Sequence, residues 1–491
     1  MSSDKYRNIQ KKTDDSERQI DVFQGDFSQR DEAVQKLLHI EECFDLLRRR
    51  IVIGGQQAVL YSIDGFLNGE LMEKLMEFFY SIEEKDMPEE FGDFLQGKIP
   101  HIDMMKIGDT NAFLKAVLSG MTCLLLEGYK TIVAMDCRQY PSRSVDEPDK
   151  DKVLRGSRDG FIESLIPNIA LIRRRIRDEN LIFSLENIGN SSKTDVAVCY
   201  MKDRVQEDVL ENLKRRLAAI DVDSLTMNQE SLGECIFPRG WFNPFPKFKY
   251  TERPDTTAAC LLEGSIVILC DNSSAAMIIP TSLFDIIEDA NDYYFPPLTG
   301  TYLRLSRMII NLVSVFLTPV FILLMQYPEW VPSAFAFIQI QDDINIPPVA
   351  QLLILEIAID GLRMAAVNTP NMLNTPLSII AGIVFGDYTV QAGWFNSEIM
   401  LYMAFVAVAN YSQSNMELGY ALKFMRIGLL ILTGIFGFWG FVAGTAVVFL
   451  TPLLTRTVSG RNYLYPLIPF DGVQLMKRFF RISTPANEKL R

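Results

Sequence analysis

In an apolar run from Pro347 to Val367, Glu356, Asp360 and Arg363 recur at i, i+4 and i+7. On a helix these three share one face, and Asp360 and Arg363 are close enough to pair. Charges in such a background have two settings open to them. Either the helix lies at a membrane interface with its charges in water, or it is packed so that they meet protein or a vestibule. Downstream, Ser378, Gly382 and Gly386 are spaced at i, i+4 and i+8, with Thr389 close by. Small residues on one face let helices approach closely. In a ring of subunits that face could line a narrow path, with Glu356 and Asp360 favouring cations near its mouth.

A second chemical feature is basic. Pro141 to Arg177 opens with turn residues, passes through Arg155-Gly156-Ser157-Arg158, and becomes helical from Phe161, with Phe161, Leu165, Ile169, Ile172 and Ile176 on one side. Arg173, Arg174 and Arg175 crowd the last turns, where cations suit the helix dipole. A solvated helix end explains this pattern. So does an acid–base contact between domains or subunits, with Asp146, Glu147 and Asp149 as the acidic side and Glu252, Arg253 and Asp255 as a further charged run.

Other chemistry has little material. The chain of 491 residues has two histidines, His39 and His101, far apart, so no metal site and no histidine acid–base chemistry are expected. The cysteines form no CxxC pair and fall in apolar runs, as buried reduced thiols do. No phosphate loop, nucleophile elbow or dinucleotide fingerprint occurs, so neither catalysis nor a cofactor is expected. A net charge of −13 argues against nucleic acid as a partner.

The elements that would position these residues fall into unlike halves. Residues 1–32 read as a flexible polar tail, and 33–140 as a first α/β subdomain. Its parts are a helix from Glu32 to Arg50, a strand at Ala58–Asp64, helices at Glu70–Ile82 and Asp109–Leu118, and a hairpin from Cys123 to Asp136 turning at Glu127-Gly128. Residues 141–180 are a charged linker and helix, and 181–300 a second subdomain. Tyr61 and Asp64 recur there as Tyr200 and Asp203, and Glu127 as Glu263 in a second hairpin, so the subdomain reads as duplicated.

Residues 301–455 read as a helical transmembrane domain, and 456–491 as a basic tail. Arg304 and Arg307 precede the apolar run Met308–Tyr327, and the tail is also basic, so both ends are expected on the cytoplasmic side. An even number of crossings follows. Of the candidate segments, Pro347–Val367 carries the charges and is taken as amphipathic or re-entrant, leaving about four spans; Ile427–Thr455 is read as one of them. Lys423 and Arg426 then fall awkwardly on the outer side. No apolar leader opens the chain, so insertion is expected to rest on these later helices.

The run Pro-Ser-Arg-Ser-x-x-Glu-Pro from Pro141, then Arg-Gly-x-Arg-x-Gly-Phe-x-Glu from Arg155 and Asn-x-x-Leu-Ile-Arg-Arg-Arg from Asn168, resembles the signature of the spore germination receptor A subunits. Thr251-Glu252-Arg253-Pro254-Asp255 extends it. The resemblance implies an oligomeric, pentameric, ion-channel-like protein of the spore inner membrane that works with other spore membrane proteins. Receptor versions pair with a B and a C subunit, and a non-conducting scaffold is the competing expectation.

Overall fold

The structure, a computed structural model, describes residues 20–87, 103–141, 156–237, 243–368, 382 and 388–482. The chain forms two compact units; the first ends at Pro280, and the second takes Arg239–Lys249 and everything from Thr281. The sequence reading sets the change near residue 300. It comes earlier because the acidic stretch before the first long helix is used by the second unit, as described below.

The first unit contains the duplicated subdomain. A helix, α1 (Phe27–Leu37), is opened by a reciprocal cap in which Asp26 and Gln29 satisfy each other's backbone N–H groups. It stops at Leu37, so the expected helix through Arg50 is corrected: Leu46–Ile53 is a strand, β1. Its arginines alternate, and Arg48 and Arg50 both reach Asp31. β2 (Gln56–Ile63), α2 (Gly69–Tyr80), β3 (Met104–Ile107), α3 (Thr110–Leu118), β4 (Thr122–Leu126) and β5 (Ile132–Met135) follow. The linker helix α4 (Leu165–Arg175) leads to β6 (Leu181–Ile188), β7 (Thr194–Met201), α5 (Glu207–Ala218), α6 (Gln229–Ile236), β8 (Lys249–Thr251), α7 (Pro254–Leu262), β9 (Ile266–Cys270) and β10 (Ala276–Ile279).

The two sheets have strand orders β1-β2-β4-β5-β3 and β6-β7-β9-β10-β8, the same order twice. The duplication is therefore present, but one of its expected anchors is not. Glu127-Gly128 turns the β4–β5 hairpin, whereas Glu263 caps α7 and Gly264, at φ +93°, ends that helix before β9. The counterpart of Gly264 is Gly120, at φ +92°, which lies between α3 and β4. A Leu-Glu-Gly triplet suits both a helix end and a hairpin, and the elements on either side decide which forms.

The second unit opens with α8 (Leu283–Ile287) and α9 (Asn291–Tyr294), then a long helix, α10 (Pro297–Gln326). α11 (Pro348–Asn368), α12 (Ser397–Tyr411), α13 (Met416–Leu454) and α14 (Gly472–Phe479) complete it. Among the described residues, α10 and α13 are long and apolar enough to cross a membrane.

α13 is not one rod. Gly437 has φ +57° and ψ −134°, outside the helical region. A Cβ on Gly440 would collide with the Leu432 carbonyl, and one on Gly444 would lie 2.6 Å from Leu429 Cδ1. Residues eight and fifteen positions apart cannot touch along a straight helix rising about 1.5 Å per residue. The chain therefore folds back at Gly437 into two antiparallel arms, packed on the glycines of Gly440-Phe-Val-Ala-Gly444. The expected single span Ile427–Thr455 is corrected accordingly.

Contacts fix the direction of each helix. At one end Ser414 donates to the Ile286 carbonyl (3.4 Å), and Phe245, Ile286, Leu418 and Tyr463 share a core. At the other end Gln326 donates to the Gly434 carbonyl (3.1 Å), Gly434 lies against Val349, and Gln351 and Asn396 exchange hydrogen bonds. α10 thus runs away from the Ile286 end. α11 and α12 each run back toward it, and the two arms of α13 go out and return.

Candidate functional site: a buried charge network between helices

The apolar layer of the second unit encloses a balanced set of charges. Glu356 on α11 is buried and receives two hydrogen bonds from Arg426 on α13, Nε to Oε1 at 2.6 Å and Nη2 to Oε2 at 2.9 Å. The remaining Arg426 nitrogen, Nη1, donates to the Ser314 carbonyl of α10 at 2.9 Å. Lys423, one turn earlier, donates to the Glu356 carbonyl (3.0 Å), lies 3.3 Å from its carboxylate and pairs with Asp360. Two acids meet two bases, so the network is neutral across three helices. That balance makes charge tolerable in an apolar layer, where an unpaired ion would be costly.

This arrangement corrects two expectations. Asp360 pairs with Lys423 and not with Arg363, which lies over the rings of Tyr411 (4.9 Å) and Tyr420 (5.4 Å). And α11 packs its charges against protein, which resolves the misplacement of Lys423 and Arg426. Beside this network, α10 presents Asn311, Ser314 and Thr318 inward at i, i+3 and i+7, all buried. The Asn311 amide and the Thr318 hydroxyl have no hydrogen-bond partner among the described residues. Sequence reading missed this stripe, although its spacing was visible.

Of the small-residue face, Ser378 and Gly386 lie outside the described residues. Gly382 is helical and exposed, with open space where a Cβ would stand. Thr389 begins one turn of helix, Thr389–Gln391.

At the base of α10 a second cluster forms. Arg304 donates to Glu288 (2.5 Å) and to the Lys477 carbonyl (2.9 Å), and Arg307 pairs with Asp292 (2.9 Å). Arg478 of α14 bridges Asp285 (2.5 Å) and Glu288 (2.7 Å). Burial would raise the Glu288 carboxyl, but Arg478, Arg304 and Lys249 outweigh it and hold it down at about 2. The acidic stretch thus ties the C-terminal helix to the first long one.

In the first unit, Arg173 is completely buried and joins the two sheets. It donates to Asp45 through Nε (2.8 Å) and Nη2 (2.9 Å), to the Leu181 carbonyl (3.0 Å), and stacks on Phe183. The Phe44 N–H also donates to the Phe183 carbonyl across the same junction (3.1 Å). Arg174 covers the Tyr140 ring, and Arg175 holds Asp159 and Ser157. Arg253 chelates Asp255 (3.0 and 2.7 Å) and donates to the Ser157 carbonyl, while the Glu252 carbonyl accepts from Phe161. Arg158 is exposed. The expected acids Asp146, Glu147 and Asp149, and Arg155, lie outside the described residues. The partner that Arg173 does use, Asp45, was not foreseen. Asp31 is a further hub: burial acts to raise its carboxyl, yet hydrogen bonds from Arg48, Tyr61 and Arg50 bring it to about 2. Among the described residues no cluster of His, Cys, Asp and Glu could hold a metal.

Residues 33–490 match the family described as Bacillus/Clostridium GerA spore germination protein. Stage V sporulation protein AF of Bacillus subtilis (strain 168) is 33% identical over 473 residues, covering 96% of this chain and 95% of that protein. Spore germination protein KA of the same organism is 27% identical over 453 residues, covering 91% of this chain and 82% of that one. The crystal structure of the N-terminal domain of the A subunit of the Bacillus megaterium spore germinant receptor GerK3 aligns with a TM-score of 0.39 at 23% identity, over 52% of this chain and 94% of that one.

Proposed function

The chain belongs to the GerA spore germination protein family, and from that premise we propose that it is a homo-oligomeric, channel-like subunit of the spore inner membrane that promotes germination. The observation that carries this reading is the α10 stripe. Asn311 and Thr318 are buried in an apolar layer without protein partners among the described residues, directly along the helix that supplies Ser314 to the charge network. Unsatisfied polar groups are costly in a bilayer, and a hydrated path is where such groups are tolerated. A pentameric ring, cytoplasmic termini and a multi-pass topology belong to the same proposal, as does a path bordered by Ser378, Gly382, Gly386 and Thr389. No catalytic role is proposed.

A second reading has its own support. Glu356 and Asp360 are both neutralised by Lys423 and Arg426, so neither is free to draw cations to a mouth. That favours a non-conducting scaffold, or a receptor A subunit acting with B and C subunits. Single-channel recording of the purified oligomer separates the readings, with wild type beside Gly382→Leu and Asn311→Leu. Conductance that falls at least several-fold in either variant, with the oligomer intact, is the expected result. An intact oligomer that never conducts, alone or with its membrane partners, sinks the channel.

A further inference from the structure

The C-terminal segment Leu467–Phe480 has an apolar side that is exposed among the described residues. On α14, Arg478 and Phe479 point inward; Phe479 packs against Phe284, and Arg478 holds Asp285 and Glu288. Val473, Met476 and Phe480 fall at i, i+3 and i+7 on the opposite side and are exposed. Phe470, just before the helix, is 75% exposed, and Leu467 and Ile468 are exposed as well. Asp471 is the one acid of the segment, and it is used to cap α14 through the Val473 and Gln474 N–H groups. Lys477 follows among the apolar positions.

The height of this segment is set by hydrogen bonds to α10. Arg304 donates to the Lys477 carbonyl, and the Arg481 N–H donates to the Thr301 hydroxyl (3.1 Å). The uncharged stretch of α10 begins at Met308, roughly one helical turn, or about 6 Å, beyond Arg304. An apolar helix face held one turn below an apolar span lies at headgroup depth. A short amphipathic helix with aromatics on one face and lysine beside it suits that environment.

We propose that Leu467–Phe480 is a membrane-interface anchor: Phe470, Val473, Met476 and Phe480 enter the headgroup–acyl boundary, and Lys477 meets anionic lipid phosphate. The acidic cluster of Asp285 and Glu288 fixes the helix from behind, so the anchor sets the depth at which α10 leaves the bilayer. This rests on the membrane reading above and names the lipid-facing site within it.

The test uses the full chain carrying Phe470→Trp, reconstituted in phosphatidylcholine bilayers with or without phosphatidylglycerol, with lipids brominated near the headgroup. The wild-type signal, from Trp241, Trp330, Trp394 and Trp439, is subtracted. Most of the added fluorescence should be quenched, more so with phosphatidylglycerol, and a Lys477→Glu change should remove that extra part only. Quenching of the native tryptophans without the added one overturns the anchor and leaves the membrane reading standing. If neither is quenched, the membrane reading itself fails. An added tryptophan shielded from both lipid bromine and aqueous iodide means that another protein copy covers the face, and this also overturns the proposal. A variant that fails to reconstitute is replaced by Met476→Trp, read the same way.

Discussion

Glu356 and Arg426 are 70 positions apart in sequence, and removing either leaves the buried network with one unbalanced charge. Removing one partner of a buried pair typically costs about 3–5 kcal/mol, whereas replacing both with apolar groups is often neutral. Glu356→Leu and Arg426→Met should therefore each lower unfolding stability in detergent by about that amount. The double variant should recover most of it, because Lys423 and Asp360 remain a balanced pair. Denaturant unfolding of all four proteins checks this, and a double variant as unstable as the sum of the singles contradicts it. Arg173 and Asp45 follow the same logic in the first unit, where one buried guanidinium ties together the two copies of the repeat.

At the scale of elements, α13 depends on glycine at three positions for different reasons. Gly437 supplies a backbone conformation that L-residues rarely adopt. Gly440 and Gly444 let the two arms touch. Gly428, on the same helix, has open space at its Cβ. Gly440→Leu should therefore splay the arms and cost more than about 3 kcal/mol, at the upper end of overpacking effects. Gly428→Leu should be within about 1 kcal/mol of wild type, since a good helix former replaces a poor one. Thermal unfolding in detergent reads both; equal losses would show that Gly440 is not at a close contact. The base of α10 is a comparable element-level device, in which Glu288 accepts from both Arg304 and Arg478.

For the whole molecule, the helix directions decide on which side each loop lies. The turn between α12 and α13 touches Ile286, the same end from which α10 departs. If α11 lay flat in the interface, that turn would be on the opposite side. Ser412 and Ser333 are exposed, and with the proposed cytoplasmic termini Ser412→Cys should react with a membrane-impermeant maleimide only after the cytoplasmic face is opened, while Ser333→Cys reacts from outside. Labelling of both from outside would refute the described helix order and restore the flat α11.

Much of this was legible locally. Short continuous apolar runs marked β2, β4 and β7, and uncharged length marked α10, because local composition and hydropathy depend on neighbours in sequence. The repeat was legible from Tyr61 and Tyr200, yet its second anchor was misassigned, since Leu-Glu-Gly is satisfied equally by a helix end and a hairpin. A continuous apolar run also concealed the reversal at Gly437, because both arms of an apolar hairpin read as one long helix. The sequence by itself thus determined the two-part architecture, the apolar character of the second half and the family. Tertiary structure alone decided the partners: Asp45 for Arg173, Arg426 for Glu356 and Lys423 for Asp360. The reason is physical. A buried ion needs an opposite charge at hydrogen-bond distance, and which one arrives depends on how distant helices and strands cross, not on spacing along the chain.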